Sequence, residues 1–125
     1  MERTLEQERA AFALANVERV KAGDQKAKYK TQLLKLPSRL HSNGLGQTVA
    51  FYLSAGSDKP EWQICQWLET WLGEGNRGIY KGKESLIHNI AGQDEDRYRQ
   101  ASAEARALAV WLKRFAEAFI GGEPE

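Results

Sequence analysis

The side chains that most often bind metals are few and scattered in this sequence. His41 and His88 are the only two histidines, and neither stands at helical spacing from a second histidine or from a pair of carboxylates that would complete a metal site. Asp94 and Asp96 form a D-x-D pair, but carboxylates at the start of a predicted helix are more typical of capping. We therefore predict no metal site.

Candidates for nucleophilic or cofactor chemistry are equally poorly placed. The lone Cys65 lies in an apolar stretch and is predicted to be in the core, and Ser42 stands beside an Asn-Gly pair that ends a helix. A G-x-G-x-x-G match begins at Gly73, but it follows a predicted helix, whereas the dinucleotide fingerprint follows a strand, so a flexible connector is the plainer interpretation. We predict that the chain is not an enzyme and takes no cofactor or small-molecule substrate. A small hydrolase in which His41 or His88 meets an acid or a nucleophile remains an alternative.

Positive charge is concentrated near the end of the first third of the chain. Between residues 21 and 41 the basic residues are Lys21, Lys26, Lys28, Lys30, Lys35 and Arg39, against one acid, Asp24. The formal net charge of the whole chain is only +1. Lys28 and Lys35 share one side of a predicted helix, a geometry that can follow a phosphate backbone. The alternative is a solvated helix face.

Further candidates for nucleic-acid contact flank this pair. Lys26 and Lys30 lie on either side of Lys28, and Arg39 and His41 would extend the surface beyond Pro37. The segment Asn43-Gly44-Leu45-Gly46-Gln47 leads directly into another predicted helix, so free backbone N–H groups there could receive a phosphate. Arg106 and Lys113, on the polar side of the last helix, are a secondary pair. These residues in full are Lys26, Lys28, Lys30, Lys35, Arg39, His41, Asn43 and Gly44, with Arg106 and Lys113 as secondary basic candidates.

Hydrophobic spacing predicts the helices that must position these residues. Thr4 and Gln7 form a capping box before a first helix, a second begins near Asp24, and Pro37 should interrupt or reset it. We predict a further helix over residues 45–54, although Val49, Phe51 and Leu53 also alternate as a strand would.

The second half of the chain predicts three further helices. Pro60 opens a helix rich in tryptophan, Ser85 caps a short one, and a long last helix follows Asp94. An apolar stripe runs down that last helix and consists of Tyr98, Ala101, Ala105, Leu108, Leu112, Phe115 and Phe119.

The bulk properties and the helical spacing together predict one all-α domain. The chain has 125 residues, of which 42% are hydrophobic and 28% charged, values typical of a single globular domain. We expect a single compact bundle of five to six helices over residues 1–120 and a flexible tail over residues 121–125. No apolar run is long enough to cross a bilayer, the N-terminus is too polar for a secretory signal, and the single cysteine suits a reducing cytosol. We therefore expect a cytoplasmic protein with no membrane contact.

One block of the sequence is similar to a known family. The block begins at Tyr29-Lys30-Thr31, continues through Leu34-Lys35-Leu36-Pro37, and ends with His41-Ser42-Asn43-Gly44-Leu45-Gly46-Gln47-Thr48-Val49-Ala50-Phe51. It resembles the small subunit of type III-B CRISPR effector complexes, the Cmr family. The Trp-rich helix and the glycine loop over residues 73–82 do not match a pattern of that family.

The resemblance implies a helical, non-catalytic subunit. Such a protein stacks in several copies along a filament of other subunits, opposite the guide RNA, and contacts the backbone of the target RNA while base pairing supplies sequence recognition. It also implies structural roles for Tyr29, Leu45, Ala50 and Phe51. The main alternative is a helical adaptor that binds only protein through a face formed by Trp62, Trp67 and Trp71, without nucleic-acid binding.

Overall fold

Within the residues that the structure describes, the fold consists of five α-helices. In the computed structural model, which describes residues 2–73, 78–82 and 84–124, they are α1 (Leu5–Val20), α2 (Lys26–Leu53), α3 (Pro60–Leu72), α4 (Leu86–Gly92) and α5 (Glu95–Phe119). The predicted all-α class with a long last helix is therefore confirmed. Residues 49–53 are helical, so the alternative that they form a strand is wrong.

The helix starts follow the local signals in the sequence. The Thr4 hydroxyl accepts a hydrogen bond from the Gln7 backbone N–H at 3.1 Å, and the Gln7 side chain accepts one from the Thr4 N–H at 2.8 Å, so the capping box is confirmed. Pro60 occupies the first turn of α3, where its missing N–H costs nothing. The Ser85 side chain caps α4 by accepting from the backbone N–H of His88.

Helix α2 corrects the expected effect of Pro37. The helix continues through Pro37, whereas we predicted that Pro37 would interrupt or reset it. A proline inside a helix costs about 3 kcal/mol, but Leu33 and Leu36 beside it are fully buried and each contributes about 1.5–3 kcal/mol. The real break is at Gly44, whose φ of 83° and ψ of 165° are not helical. The predicted Asn-Gly stop is thus confirmed as a kink inside α2.

The chain divides into two compact units, each with its own buried side chains. The first unit comprises Met1–Ser38 and Ala107–Glu125, and the second comprises Arg39–Arg106. Fully buried residues of the first unit include Ala13, Val17, Leu33, Leu36, Leu108 and Leu112, and those of the second include Leu45, Tyr52, Ile64, Leu68, Leu72, Ala101 and Ala105. The single domain over residues 1–120 and the flexible tail remain predictions.

The buried stripe of α5 differs from the predicted one near its end. Leu108 and Leu112 are buried as expected, but Phe119 is 48% exposed, and Ala116 and Ile120 are buried instead. Steps of four residues from Leu112 lead to these two positions, whereas Phe119 lies one residue, or about 100° of helix rotation, before Ile120. The expectation that Phe119 belongs to the buried stripe is therefore wrong.

No helix within the described residues is both long enough and apolar enough to span a membrane. The glycine motif that begins at Gly73 cannot be judged as a whole, because Gly75 lies outside the described residues.

Candidate nucleic-acid interface

Helix α2 displays the predicted lysines on two sides within the first unit. Lys26, Lys28 and Lys35 are exposed, and Lys30 is half-buried. At roughly 100° of rotation per residue, Lys28 and Lys35 lie within about 20° of one another, whereas Lys26 and Lys30 lie nearly half a turn away. The candidate phosphate-binding pair is therefore Lys28 with Lys35, separated by about 10 Å along the helix axis.

Lys30 already has a partner in the first unit. Its Nζ donates a hydrogen bond to the backbone carbonyl of Gly122 at 2.8 Å, which ties the C-terminal tail to α2 across 92 residues of sequence. An RNA phosphate at Lys30 would compete with this hydrogen bond. The geometry favours Lys28 and Lys35 over Lys30 as phosphate ligands.

The guanidinium of Arg39, in the second unit, lies over two neighbouring aromatic rings. Its Nη1 donates to the hydroxyl of Tyr52 at 3.1 Å, and its guanidinium carbon lies 5.2 Å from the ring centroid of Phe51 and 5.4 Å from that of Tyr52. Burial raises the pKa of Tyr52 to about 12, although the hydrogen bond and charge of Arg39 oppose this shift. Tyr52 is therefore a neutral phenol that accepts from Arg39 and fixes the position of its charge.

The segment after the kink is less open to a phosphate than the sequence predicted. The backbone N–H of Gly46 donates to the hydroxyl of Tyr98 at 3.0 Å, so it is not free to bind an anion. The same hydroxyl lies 3.5 Å from the position that a Cβ on Gly44 would occupy. The expectation of a free N–H group is therefore wrong at Gly46, because a side chain of α5 serves it.

The other predicted site residues are not drawn into one cluster by any contact that the structure describes. His41, Asn43 and Arg106 are exposed, and Gly44 and Lys113 are half-buried. Because His41, Asn43 and Arg106 are exposed, they are accessible to a ligand. Their roles remain predictions.

Phe51 is the residue whose exposure the sequence interpretation missed. It was expected to be structural, but its side chain is 58% exposed and the neighbouring Ala50 is exposed as well. The buried positions after the kink are Leu45, Val49 and Tyr52, at steps of four and three residues. That spacing excludes Phe51 from the buried face, so helical periodicity was the signal that could have found it.

Comparison with known proteins identifies the family. The family model described as CRISPR-associated protein (Cas_Cmr5) matches residues 5–119, nearly the whole chain. The chain belongs to the Cmr5 family. A curated relative from Thermus thermophilus, described as CRISPR system Cmr subunit Cmr5, is 30% identical over 118 residues, which cover 94% of this chain and 97% of the relative. The crystal structure of a CRISPR-associated Cmr5 family protein from the same organism superimposes with a TM-score of 0.79 at 28% identity, and the match covers 95% of this chain and 100% of that one. The resemblance drawn from the sequence block is thereby confirmed.

The tryptophan-rich helix of this Cmr5-family chain is largely interior. Trp67 and Trp71 are 4% and 1% exposed, and the Nε1 of Trp71 donates to a carboxylate oxygen of Glu104 at 2.9 Å within the second unit. Only Trp62 is half-buried. An exposed protein-binding face built from all three tryptophans is therefore wrong, because two of them belong to the core.

The surroundings of Cys65 and of the possible metal ligands bear on whether this member of the Cmr5 family could carry out chemistry. Cys65 is buried, its Sγ lies 3.7 Å from the Val49 carbonyl oxygen, and burial raises the pKa of its thiol to about 12. A thiol with that pKa is protonated at neutral pH and is a poor nucleophile. Over residues 2–73, 78–82 and 84–124, no three His, Cys, Asp or Glu side chains are grouped so that they could hold a metal ion.

Asp94 of the D-x-D pair caps α5, and Asp96 lies in the first turn of that helix. The Arg97 backbone N–H donates to Asp94 at 2.8 Å, and this hydrogen bond is the largest cause that lowers the pKa of the Asp94 carboxyl. Asp96 lies 3.3 Å from the guanidinium of Arg99. The capping interpretation is therefore confirmed.

Proposed function

We propose that this chain is a non-catalytic structural subunit of a type III-B (Cmr) RNA-targeting ribonucleoprotein. It stacks with other subunits and with copies of itself along the effector filament, contacts guide and target RNA through their backbones, and works in the cytoplasm. Membership of the Cmr5 family supports the assignment to such a complex, since the curated relative is described as a Cmr subunit.

The observation that carries the RNA contact is the exposed pair Lys28 and Lys35 on one side of α2. Two ammonium groups about 10 Å apart along a helix can reach different phosphates of one strand. Contacts from lysine to phosphate carry no sequence information, so the contribution of this pair would be independent of RNA sequence. This agrees with a complex in which guide-target pairing supplies the specificity.

Assembly with other proteins is supported by an exposed apolar strip on α5 in the first unit. Phe119 is 48% exposed, and the rings of Trp111, Phe115 and Phe119 follow one another at centroid distances of 5.5 and 5.9 Å. Exposed apolar patches on a folded protein are typical of protein interfaces. We assign this strip to contacts with neighbouring subunits or with further copies of the chain.

The RNA contact is tested by a charge-reversal double variant. We expect Lys28→Glu with Lys35→Glu to lower the affinity of the reconstituted complex for single-stranded RNA. We also expect the slope of log affinity against log salt to fall by roughly 1.4, since each lost phosphate contact removes about 0.7 on a single strand. The circular dichroism spectrum should not change, because both side chains are exposed.

The control is Lys59→Glu with Lys81→Glu, which changes the net charge equally at exposed lysines of the second unit. If both double variants change the salt slope by the same amount, the effect is one of overall charge and the assigned pair is wrong. Co-purification of the full-length chain with RNA and other subunits from native lysate tests the assembly. Recovery of the chain free of both would contradict it.

A further inference from the structure

Phe51 is an exposed aromatic residue, because helical spacing places it outside the buried face of its helix. Among the large hydrophobic side chains of the described residues it is the most exposed, at 58%. The buried face after the kink is complete without it, since Leu45, Val49 and Tyr52 supply that face. A single exposed phenylalanine needs no ligand to explain it, so the case for a ligand depends on the groups beside this ring.

The kink at Gly44 brings a positive charge next to this ring. Twelve residues of unbroken helix would separate Arg39 and Phe51 by about 18 Å along the axis, yet the guanidinium carbon lies 5.2 Å from the ring centroid. The Thr48 hydroxyl donates to the Arg39 carbonyl at 3.1 Å, and Arg39 itself donates to the Tyr52 hydroxyl at 3.1 Å. These hydrogen bonds hold the charge beside the exposed ring before any ligand arrives.

The Arg39 guanidinium lies over the Phe51 ring, and a ring that is 58% exposed with a guanidinium fixed against it matches the chemistry of a nucleotide. The ring offers a surface on which a base can stack, and the guanidinium offers donors and charge to the phosphate of the same strand. An apolar protein segment would instead have to strip water from the guanidinium without supplying an anion, which is costly. The pair therefore favours a single-stranded nucleic acid over an apolar peptide.

We propose that Phe51 stacks on an unpaired RNA base while Arg39 contacts a neighbouring phosphate. This inference rests on the proposed function and adds a contact of a different kind to it, because Lys28 and Lys35 act on phosphates alone. Every base has a stacking face, so the contact is tolerant of sequence but requires that the base be unpaired. Stacking is not electrostatic, so its loss leaves the salt slope unchanged.

The test uses the reconstituted complex with the full chain carrying Phe51→Leu. Loss of one stacked base is expected to weaken the binding of single-stranded RNA roughly 5- to 150-fold, with an unchanged salt slope and little effect on duplex RNA. Phe51→Tyr keeps the ring and should retain the affinity. Val110→Ala truncates another exposed apolar side chain, at 48%, on the opposite side of α5 from Phe119, and should leave RNA affinity unchanged.

A second measurement detects the contact directly in the wild-type chain. RNA that carries 5-iodouridine is irradiated in the complex, and the cross-linked peptide is identified by mass spectrometry. A cross-link at Phe51 is expected. Cross-links elsewhere only, together with an unchanged affinity of Phe51→Leu, would overturn the stacking contact while Lys28 and Lys35 still account for RNA binding.

Two other results would also decide the question. If Phe51→Leu leaves RNA affinity intact but releases the chain from the other subunits, Phe51 belongs to a protein interface and the inference is wrong. If the wild-type complex binds no RNA, the proposed function fails, and this inference fails with it.

Discussion

Gly44 is the residue at which a one-carbon change should have the clearest effect. Its φ of 83° and ψ of 165° lie in a region that is essentially restricted to glycine. A Cβ there would lie 3.5 Å from the Tyr98 hydroxyl, an ordinary contact distance, so Gly44→Ala introduces no collision. The cost is therefore conformational, and residues held in such regions cost of order 1–3 kcal/mol each.

Gly46→Ala is the matched control. Gly46 is two residues further along in the helical segment, has no positive φ, and its added Cβ would lie 3.4 Å from Ile90 Cγ2 and 3.6 Å from the Tyr98 hydroxyl. Alanine is favoured over glycine inside a helix by about 0.5–1 kcal/mol, which offsets any small adjustment of Ile90. We expect Gly46→Ala to be neutral or slightly stabilising.

The assay is urea unfolding followed by circular dichroism at 222 nm, with both variants and the wild type at equal concentration. Gly44→Ala should lower the free energy of unfolding by about 1–3 kcal/mol at an unchanged m-value. Stability equal to that of the wild type would mean that residue 44 has a backbone conformation open to alanine. The kink that joins Arg39 to Phe51 would then be misassigned.

Two further predictions concern the buried side chains. Leu108 is fully buried, so Leu108→Ala should lower the free energy of unfolding by about 2–5 kcal/mol. Val110 is 48% exposed on the same helix, so Val110→Ala should change the free energy of unfolding by less than about 0.5 kcal/mol. Equal effects of the two substitutions would contradict the assigned core face. Burial raises the pKa of the Cys65 thiol from 9.0 to about 12, so between these pH values the folded state keeps a proton that the unfolded state loses. The contribution of this thiol to the free energy of unfolding should therefore be complete below pH 9 and should fall between about pH 9 and 12. In Cys65→Ala, the loss of stability above pH 9 should be smaller than in the wild type. Rapid labelling of the native wild type by iodoacetamide at pH 8 would contradict this prediction, because it would mean that the thiol is not buried.

Local signals explain how much of the secondary structure could be predicted. The capping box at Thr4, the proline at the start of α3 and the serine cap of α4 act between residues up to three positions apart. Their effects are settled within a single turn and need no knowledge of the fold. The interruption at Gly44 belongs to the same class, because it depends on the missing Cβ. The prediction for Pro37 was wrong because the free-energy cost of a proline in a helix can be read from the local sequence. The burial of Leu33 and Leu36, which offsets that cost, depends on the tertiary structure.

The candidate interface could be predicted only in part. Helical spacing predicts Lys28 and Lys35 on one side of α2, because rotation per residue is a property of the helix alone, and both lysines are exposed in the structure. The same rule separates Lys26 and Lys30 from that pair. The exposure of Phe51 followed from the buried spacing of Leu45, Val49 and Tyr52, but the proximity of its ring to Arg39 required the angle of the kink.

The amino-acid sequence by itself determined the helical class, the helix starts, the break at Gly44 and the family. Only the tertiary structure decided which polar groups already form hydrogen bonds with distant residues. Tyr98 serves the Gly46 N–H across 52 residues, Glu104 holds the Trp71 indole across 33, and Gly122 holds Lys30 across 92. Such partners are chosen by packing between distant segments, and no local spacing rule encodes that choice.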